Sequence, residues 1–130
     1  MAKKLAWLFG VVFVIVGILG FIPNPIVGEG ALFHTNTIHD LAHILLGIFL
    51  FIGASQSEAL ASKFLVISGV VYLVLAIWGF AIIDEGGISM ILNLVAINAA
   101  DNWLHIVLAI VLIGAGLMAG KTRPVTTTAA

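Results

Sequence analysis

The chain has 130 residues, of which 62% are hydrophobic and 8% charged, with five basic residues, six acidic residues, a formal net charge of -1 and no cysteine. Its mean hydropathy is +1.27. About a quarter of a soluble domain is charged, so this composition excludes a water-solvated globule. The few basic residues exclude a nucleic-acid footprint, and the missing cysteine excludes disulfides and thiolate metal sites. The chain reads as one small membrane domain, residues 1–120, whose solvent is the lipid bilayer.

Four apolar stretches follow one another, at Leu5–Ile22, Asn36–Ala54, Phe64–Ile83 and Asn98–Ala119. Each is long enough for a helix to cross about 30 Å of hydrocarbon. The first could pass for a signal peptide, with Lys3 and Lys4 ahead of an apolar core, but it ends in Ile22-Pro23-Asn24-Pro25 without a small-residue cleavage site. It also has a counterpart. Gly10-Val11-Val12-Phe13 with Gly17 and Gly20-Phe21 matches Gly69-Val70-Val71-Tyr72 with Ala76 and Gly79-Phe80, at a constant offset of 59. A helix pair at about 5–54 is therefore expected to repeat at about 64–118. Each repeat holds two spans, so the halves should share one orientation, related by an axis along the membrane normal. The expected fold is an all-α integral membrane bundle of four transmembrane helices.

Between the spans, Pro23–Thr35 reads as an outer loop and Gln56–Ser62 as a short polar inner loop. The stretch Asp84–Asn98 starts polar and turns apolar through Met90-Ile91-Leu92, and is expected partly along the membrane interface. The tail, 121–130, with three consecutive threonines, reads as disordered. All five basic residues (Lys3, Lys4, Lys63, Lys121, Arg123) fall on one side of a four-span layout. The positive-inside rule places both termini in the cytoplasm. Trp7 then lies at the inner interface, with Trp78 and Trp103 at the outer one. Small residues recur seven apart at Gly10 and Gly17, Gly47 and Ala54, Gly69 and Ala76, Ala109 and Gly116. They suit close helix packing within the monomer, or else a dimer face.

The polar residues concentrate in two blocks that open the second and fourth spans, Asn36-x-x-His39-Asp40-x-x-His43 and Asn98-x-x-Asp101-Asn102-x-x-His105, at an offset of 62. On the second helix Asn36, Asp40, His43 and Gly47 form one stripe, with His39 one turn before His43, while Leu41, Leu45, Ile48 and Ile52 form a lipid face. On the fourth, Asn98, Asp101, Asn102, His105 and Ala109 repeat the stripe. Imidazole and carboxylate are costly against lipid, so both stripes should face the interior and each other.

Three readings of this cluster follow. In the first it is structural. Asn36 and Asn98 cap their helices, Asp40 and Asp101 sit in first turns, and His43 and His105 bond across to Asp101, Asn102, Asp40 or Asn36. In the second it holds a transition metal through His39, His43, Asp101 and His105, since His39/His43 and Asp101/His105 each have helical i, i+4 spacing. No His-Glu-x-x-His occurs, and bis-imidazole haem ligation by His43 and His105 is the weaker form of this reading because bulky residues flank them. In the third the histidines form part of a proton or solute path, against which the inner halves of the spans are almost wholly apolar. His34 reads as solvated or as part of an outer metal site, and Tyr72 as bonded to a neighbouring carbonyl.

The blocks Phe33-His34-x-Asn36-x-x-His39-Asp40-x-x-His43 and Asn98-x-x-Asp101-Asn102-x-x-His105, with Gly69-Val70-Val71-Tyr72, resemble a bacterial four-helix membrane family, domain of unknown function 4383. The resemblance covers about residues 5–118 and departs in the longer Asp84–Asn98 connection. It implies a bacterial-type inner membrane protein and supplies no activity. The sequence therefore points to a small structural or accessory membrane protein, not an enzyme, whose extracytoplasmic cluster stabilises it or meets a membrane-protein partner or a second copy. The alternative is a metal- or haem-binding membrane protein. His43 and His105 are expected to be the most buried histidines, each with a polar partner on another helix.

Overall fold

A computed structural model describes residues 1–121, so the tail beyond Lys121 lies outside the described residues. Four helices dominate: α1 (Ala2–Leu19), α2 (Thr37–Gln56), α3 (Glu58–Ile82) and α4 (Ala99–Lys121). With 18, 20, 25 and 23 residues, all four are long and apolar enough to cross a membrane. Even α1 extends about 27 Å at the helical rise of 1.5 Å per residue.

The helices run alternately up and down. Met1 at the start of α1 pairs its ammonium with Glu58 at the start of α3 at 2.9 Å. Ser62 Oγ, one turn further along α3, donates to the Gly116 carbonyl near the end of α4 at 2.7 Å. These contacts gather the ends of α2 and α4 and the starts of α1 and α3 at one end of the bundle. The two polar blocks lie at the other.

Helix packing follows the small residues. Gly10 abuts Gly47 and Phe51, Gly17 abuts the Asp40 carbonyl and Ile44, Gly69 abuts Ala109 and Ile113, and Gly116 abuts Val66. Ala54 and Ala76 are also fully buried. All eight small positions thus lie inside the bundle, which accounts for their spacing without a dimer. Small side chains let dispersion contacts form where lipid supplies no hydrophobic drive between helices. Leu41, Leu45, Ile48 and Ile52 are 44–65% exposed on the outer surface of α2, the lipid side.

The connections differ from expectation. The inner loop shrinks to Ser57 alone. Its side chain accepts from Leu60 N at 3.1 Å and Glu58 lies in the first turn, so a cap, an acid and good helix formers start α3 at once. The outer stretches are not purely helix and loop. Strands β1 (Val27–Gly28) and β2 (Phe33–His34) form a short parallel bridge. Strands β3 (Ile88–Ile91) and β4 (Val95–Asn98) form an antiparallel hairpin in the stretch read as interfacial. Along β3, exposed Ile88 and Met90 alternate with buried Ser89 and Ile91. That period of two makes a strand with one face over the bundle. Leu92 and Asn93 turn the hairpin with φ of 54° and 58°. A turn with two positive φ values suits the twist of a hairpin, although Leu92 is an unusual residue to hold one.

Candidate functional site

Both caps form. The Asn36 side chain accepts from His39 N at 3.1 Å, and the Asn98 side chain accepts from Asp101 N at 2.9 Å. Each Asn also donates outward from its amide. Asn36 Nδ2 reaches the Leu94 carbonyl at 2.8 Å, and Asn98 Nδ2 reaches the Leu32 carbonyl at 2.9 Å. The two donors are 62 positions apart, as are the two acceptors. Every cap therefore also clasps the loop that leads into the other polar block.

One turn into the helices, the blocks split into two faces. Asp40 packs on α1 at Gly20, and Asn102 packs on α3 at Gly79. A Cβ on either glycine would overlap the side chain opposite it, so the close approach requires glycine there. Asp40 Oδ1 and both polar atoms of the Asn102 amide have no hydrogen-bond partner among the described residues. Asp40 and Asn102 are thus not the cross-bundle partners of the histidines that the stripes suggested. They serve their own helix pairs.

The other face carries His39, His43 and His105, which converge, with Asp101 beside His39 and His105. The ligating atoms of the three histidines lie within 4.8 Å of one another. Asp101 Oδ2 sits 3.5 Å from His105 Nε2 and 3.8 Å from His39 Nε2, joining α4 to α2. Exposure of the four side chains is 1–7%, with His39 (3%) more buried than His43 (7%). The expectation that His43 and His105 alone would be deepest therefore fails. His39 faces inward at the level of Asp101, below the hairpin, and is covered from above.

The expected hydrogen bonds are also redistributed. His39 Nδ1 meets the Ala96 carbonyl of β4 at 2.7 Å, which makes that nitrogen the donor and leaves Nε2 aimed at Asp101. His43 Nδ1, both nitrogens of His105 and Asp101 Oδ2 have no hydrogen-bond partner among the described residues. Tyr72 makes no carbonyl bond among the described residues either. Its hydroxyl is buried without a hydrogen-bond partner among the described residues, and its ring lies 4.7 Å from His105 and 5.4 Å from Phe13. His34 stays outside the cluster and accepts from Gly30 N at 3.0 Å.

Sequence reading missed the Ala96 carbonyl, the Tyr72 hydroxyl and the hairpin that covers them. Only the lone tyrosine in an apolar span signalled any of these. The donor set, three imidazoles and a carboxylate, fits a metal ion of zinc type. Ligands about 2.0–2.2 Å from a tetrahedral ion are roughly 3.4 Å apart. The Asp101 contacts with His105 and His39, at 3.5 and 3.8 Å, are near that spacing, and the three imidazoles lie within 4.8 Å of one another. The His39–Ala96 contact fixes the tautomer of His39, as such bonds do for metal-ligating histidines.

Beside the cluster a cavity of about 130 Å³ lies between α2, α3 and the hairpin, lined by His39, His43, His105 and Tyr72 on one side. Sites for large organic ligands are typically 300 Å³ or more. A haem macrocycle between His43 and His105 does not fit this space.

Fold and cluster together define a class, a small four-helix protein of membrane type with a buried histidine–carboxylate group at one end. The chain belongs to the family described as Domain of unknown function (DUF4383), which matches residues 3–118. No curated protein and no solved structure matches it.

Proposed function

We propose that this chain is a bacterial-type inner-membrane protein that binds a divalent transition metal through His39, His43, His105 and Asp101. The observation that supports the reading is the convergence of three buried imidazoles, whose ligating atoms lie within 4.8 Å of one another, beside the Asp101 carboxylate. A buried carboxyl group is either protonated or paired with an opposite charge, and a dication would supply that charge at Asp101. With no thiolate and three imidazoles the site favours zinc, while iron(II) and copper(II) are compatible with the same donors.

Elemental analysis of protein purified without chelator should find one equivalent of transition metal per chain. Cobalt loaded into metal-free protein should give the visible bands of a tetrahedral ion, lost in His105→Ala and in His39→Ala. Absence of any bound metal, with no uptake of zinc or cobalt, sinks the reading.

A second reading, a structural or accessory role, is favoured by the reciprocal Asn36–Leu94 and Asn98–Leu32 bonds, which tie the two polar blocks together. Under it the cluster docks the helix pairs and offers its outer surface to a membrane partner or a second copy.

Both readings place the cluster outside the cytoplasm, from the bias of all five basic residues. Cysteines introduced at Gln56 and Gly30 report the orientation. An impermeant reagent applied to intact cells should label position 30 alone, and labelling of position 56 instead reverses the assignment.

A further inference from the structure

Along α3, Val71, Leu75, Trp78 and Ile82 follow one another at steps of four, three and four residues, and so form one stripe. Val71 and Leu75 border the cavity, whose mouth is completed on α2 by Ala42 and Leu46. Trp78 and Ile82 border an open cleft on the outer flank of the hairpin, with Asp84, Ser89, Met90 and Asn93. Mouth and cleft are thus two parts of one groove that climbs α3.

Ala42 opens the lower part. Every other exposed position of α2 from 38 to 52 is leucine or isoleucine, and the matched residue of α4, 62 positions on, is the bulkier Leu104. Height places the two parts in different layers. At 1.5 Å per residue, Ala42 and Val71 both stand about 20 Å above the Ser57 turn, and Ile82 about 36 Å. With hydrocarbon about 30 Å thick, the mouth opens among acyl chains and the cleft among headgroups. From Val71 to Ile82 the groove runs about 16 Å, close to the roughly 20 Å of one leaflet.

The two parts also differ in chemistry. The mouth continues the lipid face of α2 that carries Leu41, Leu45 and Ile48. An empty apolar groove forfeits dispersion contacts, and water finds few partners there, so a hydrocarbon chain is the filler that suits it. The cleft carries the exposed Asp84 carboxylate, with Glu85 next to it in sequence. No Lys or Arg occurs from 5 to 62 or from 64 to 120, so neither connection at this end holds a cationic side chain to neutralise them. Asp84 Oδ1 accepts from Gly86 N at 2.9 Å, and a carboxylate with about four lone-pair sites has room for further donors.

We propose that this groove binds one phospholipid with a primary-ammonium headgroup, its acyl chain seated at Ala42 and its ammonium at Asp84. The three N–H donors of an ammonium suit the Asp84 carboxylate and the Asn93 amide oxygen, whereas a choline headgroup has no donor. A lipid of net negative charge is repelled by Asp84 and Glu85. Trp78, 39% exposed, offers an aromatic face at the level where such rings meet headgroups. No imidazole nitrogen takes part, so the site is independent of the metal reading.

The test uses protein in nanodiscs of equal parts phosphatidylethanolamine, phosphatidylcholine and phosphatidylglycerol with matched chains, read by native mass spectrometry. One lipid should stay on each chain, with phosphatidylethanolamine favoured over phosphatidylcholine about two- to fivefold, which is what an exposed ion pair supplies. Asp84→Asn keeps the oxygen that accepts from Gly86 and should bring the two lipids level without changing the total retained. Ala42→Leu should lower the retention of all three. Both positions are exposed, and an unchanged melting temperature shows that each variant folds.

Equal retention of phosphatidylethanolamine and phosphatidylcholine by the wild type overturns the proposal, as does a preference for phosphatidylglycerol. Lipid retention that is the same in wild type and Ala42→Leu places the bound lipid elsewhere and also overturns it. The metal content of the same samples is measured separately, so either reading can fail alone.

Discussion

The two polar blocks read almost alike in the sequence and are used differently. At Asn36 and Asn98 they remain alike, each capping its helix and clasping the opposite loop. At Asp40 and Asn102 they also remain alike in position, each pressed onto a glycine of the neighbouring helix. Where they differ, at His39 against Asp101, the two side chains meet. The lesson is a division of labour. Matched positions hold the helices together, and the mismatched position places a carboxylate between imidazoles from two helices, which two identical residues would not do.

Removing metal should affect the mismatched face most. If free metal stands at 100 to 1,000 times its Kd, the ion contributes about 3–4 kcal/mol of stability. Chelator should therefore lower the melting temperature of the wild type sharply and that of His43→Ala or His43→Asn hardly at all. Wild-type melting unchanged by chelator, with His43→Asn milder than His43→Ala, returns the cluster to a structural role.

Next come the matched glycine contacts. Gly20→Ala and Gly79→Ala should each cost about 1–3 kcal/mol, because the added methyl meets a buried side chain with little room to yield. Shortening that side chain, as in Gly20→Ala with Asp40→Ser, should recover part of the loss. Gly114 has open space around it, and Gly114→Ala should be neutral or stabilise by up to about 1 kcal/mol through helix propensity. Equal penalties at positions 20, 79 and 114 in chemical or thermal unfolding would show that the close contacts carry no special weight.

The smallest effects belong to the caps. Asn36→Ala and Asn98→Ala should each cost about 1 kcal/mol for the cap, with a similar amount for the lost clasp on the far loop. Hydrogen exchange at Leu94 and Leu32 and their neighbours reads the clasp separately. Asn36→Asp keeps the capping oxygen and loses the amide donor, so it should loosen the 88–98 hairpin while α2 stays intact. A hairpin unmoved by Asn36→Asp would refute the clasp.

Much of this molecule was written in its sequence. Hydropathy fixes four spans because backbone polar groups in hydrocarbon must be satisfied within helices. The period of 3.6 sets Leu41, Leu45, Ile48 and Ile52 on the lipid side and the small residues on the packing side. Asn at the head of an apolar helical run signals both caps. The facing of neighbouring residues was not legible. His39 and Asp40 lie about 100° apart on one helix, and both were expected inside. Which of them meets the other helix pair and which meets α1 depends on how the helices cross, and only the tertiary structure decided it. The same holds for the hairpin of β3 and β4, whose alternation is only four residues long and whose turn uses Leu92 where glycine or asparagine would have signalled it. Its Ala96 carbonyl orients His39, and its underside walls the cavity. Those contacts join residues 57 positions apart, a separation that local patterning does not encode.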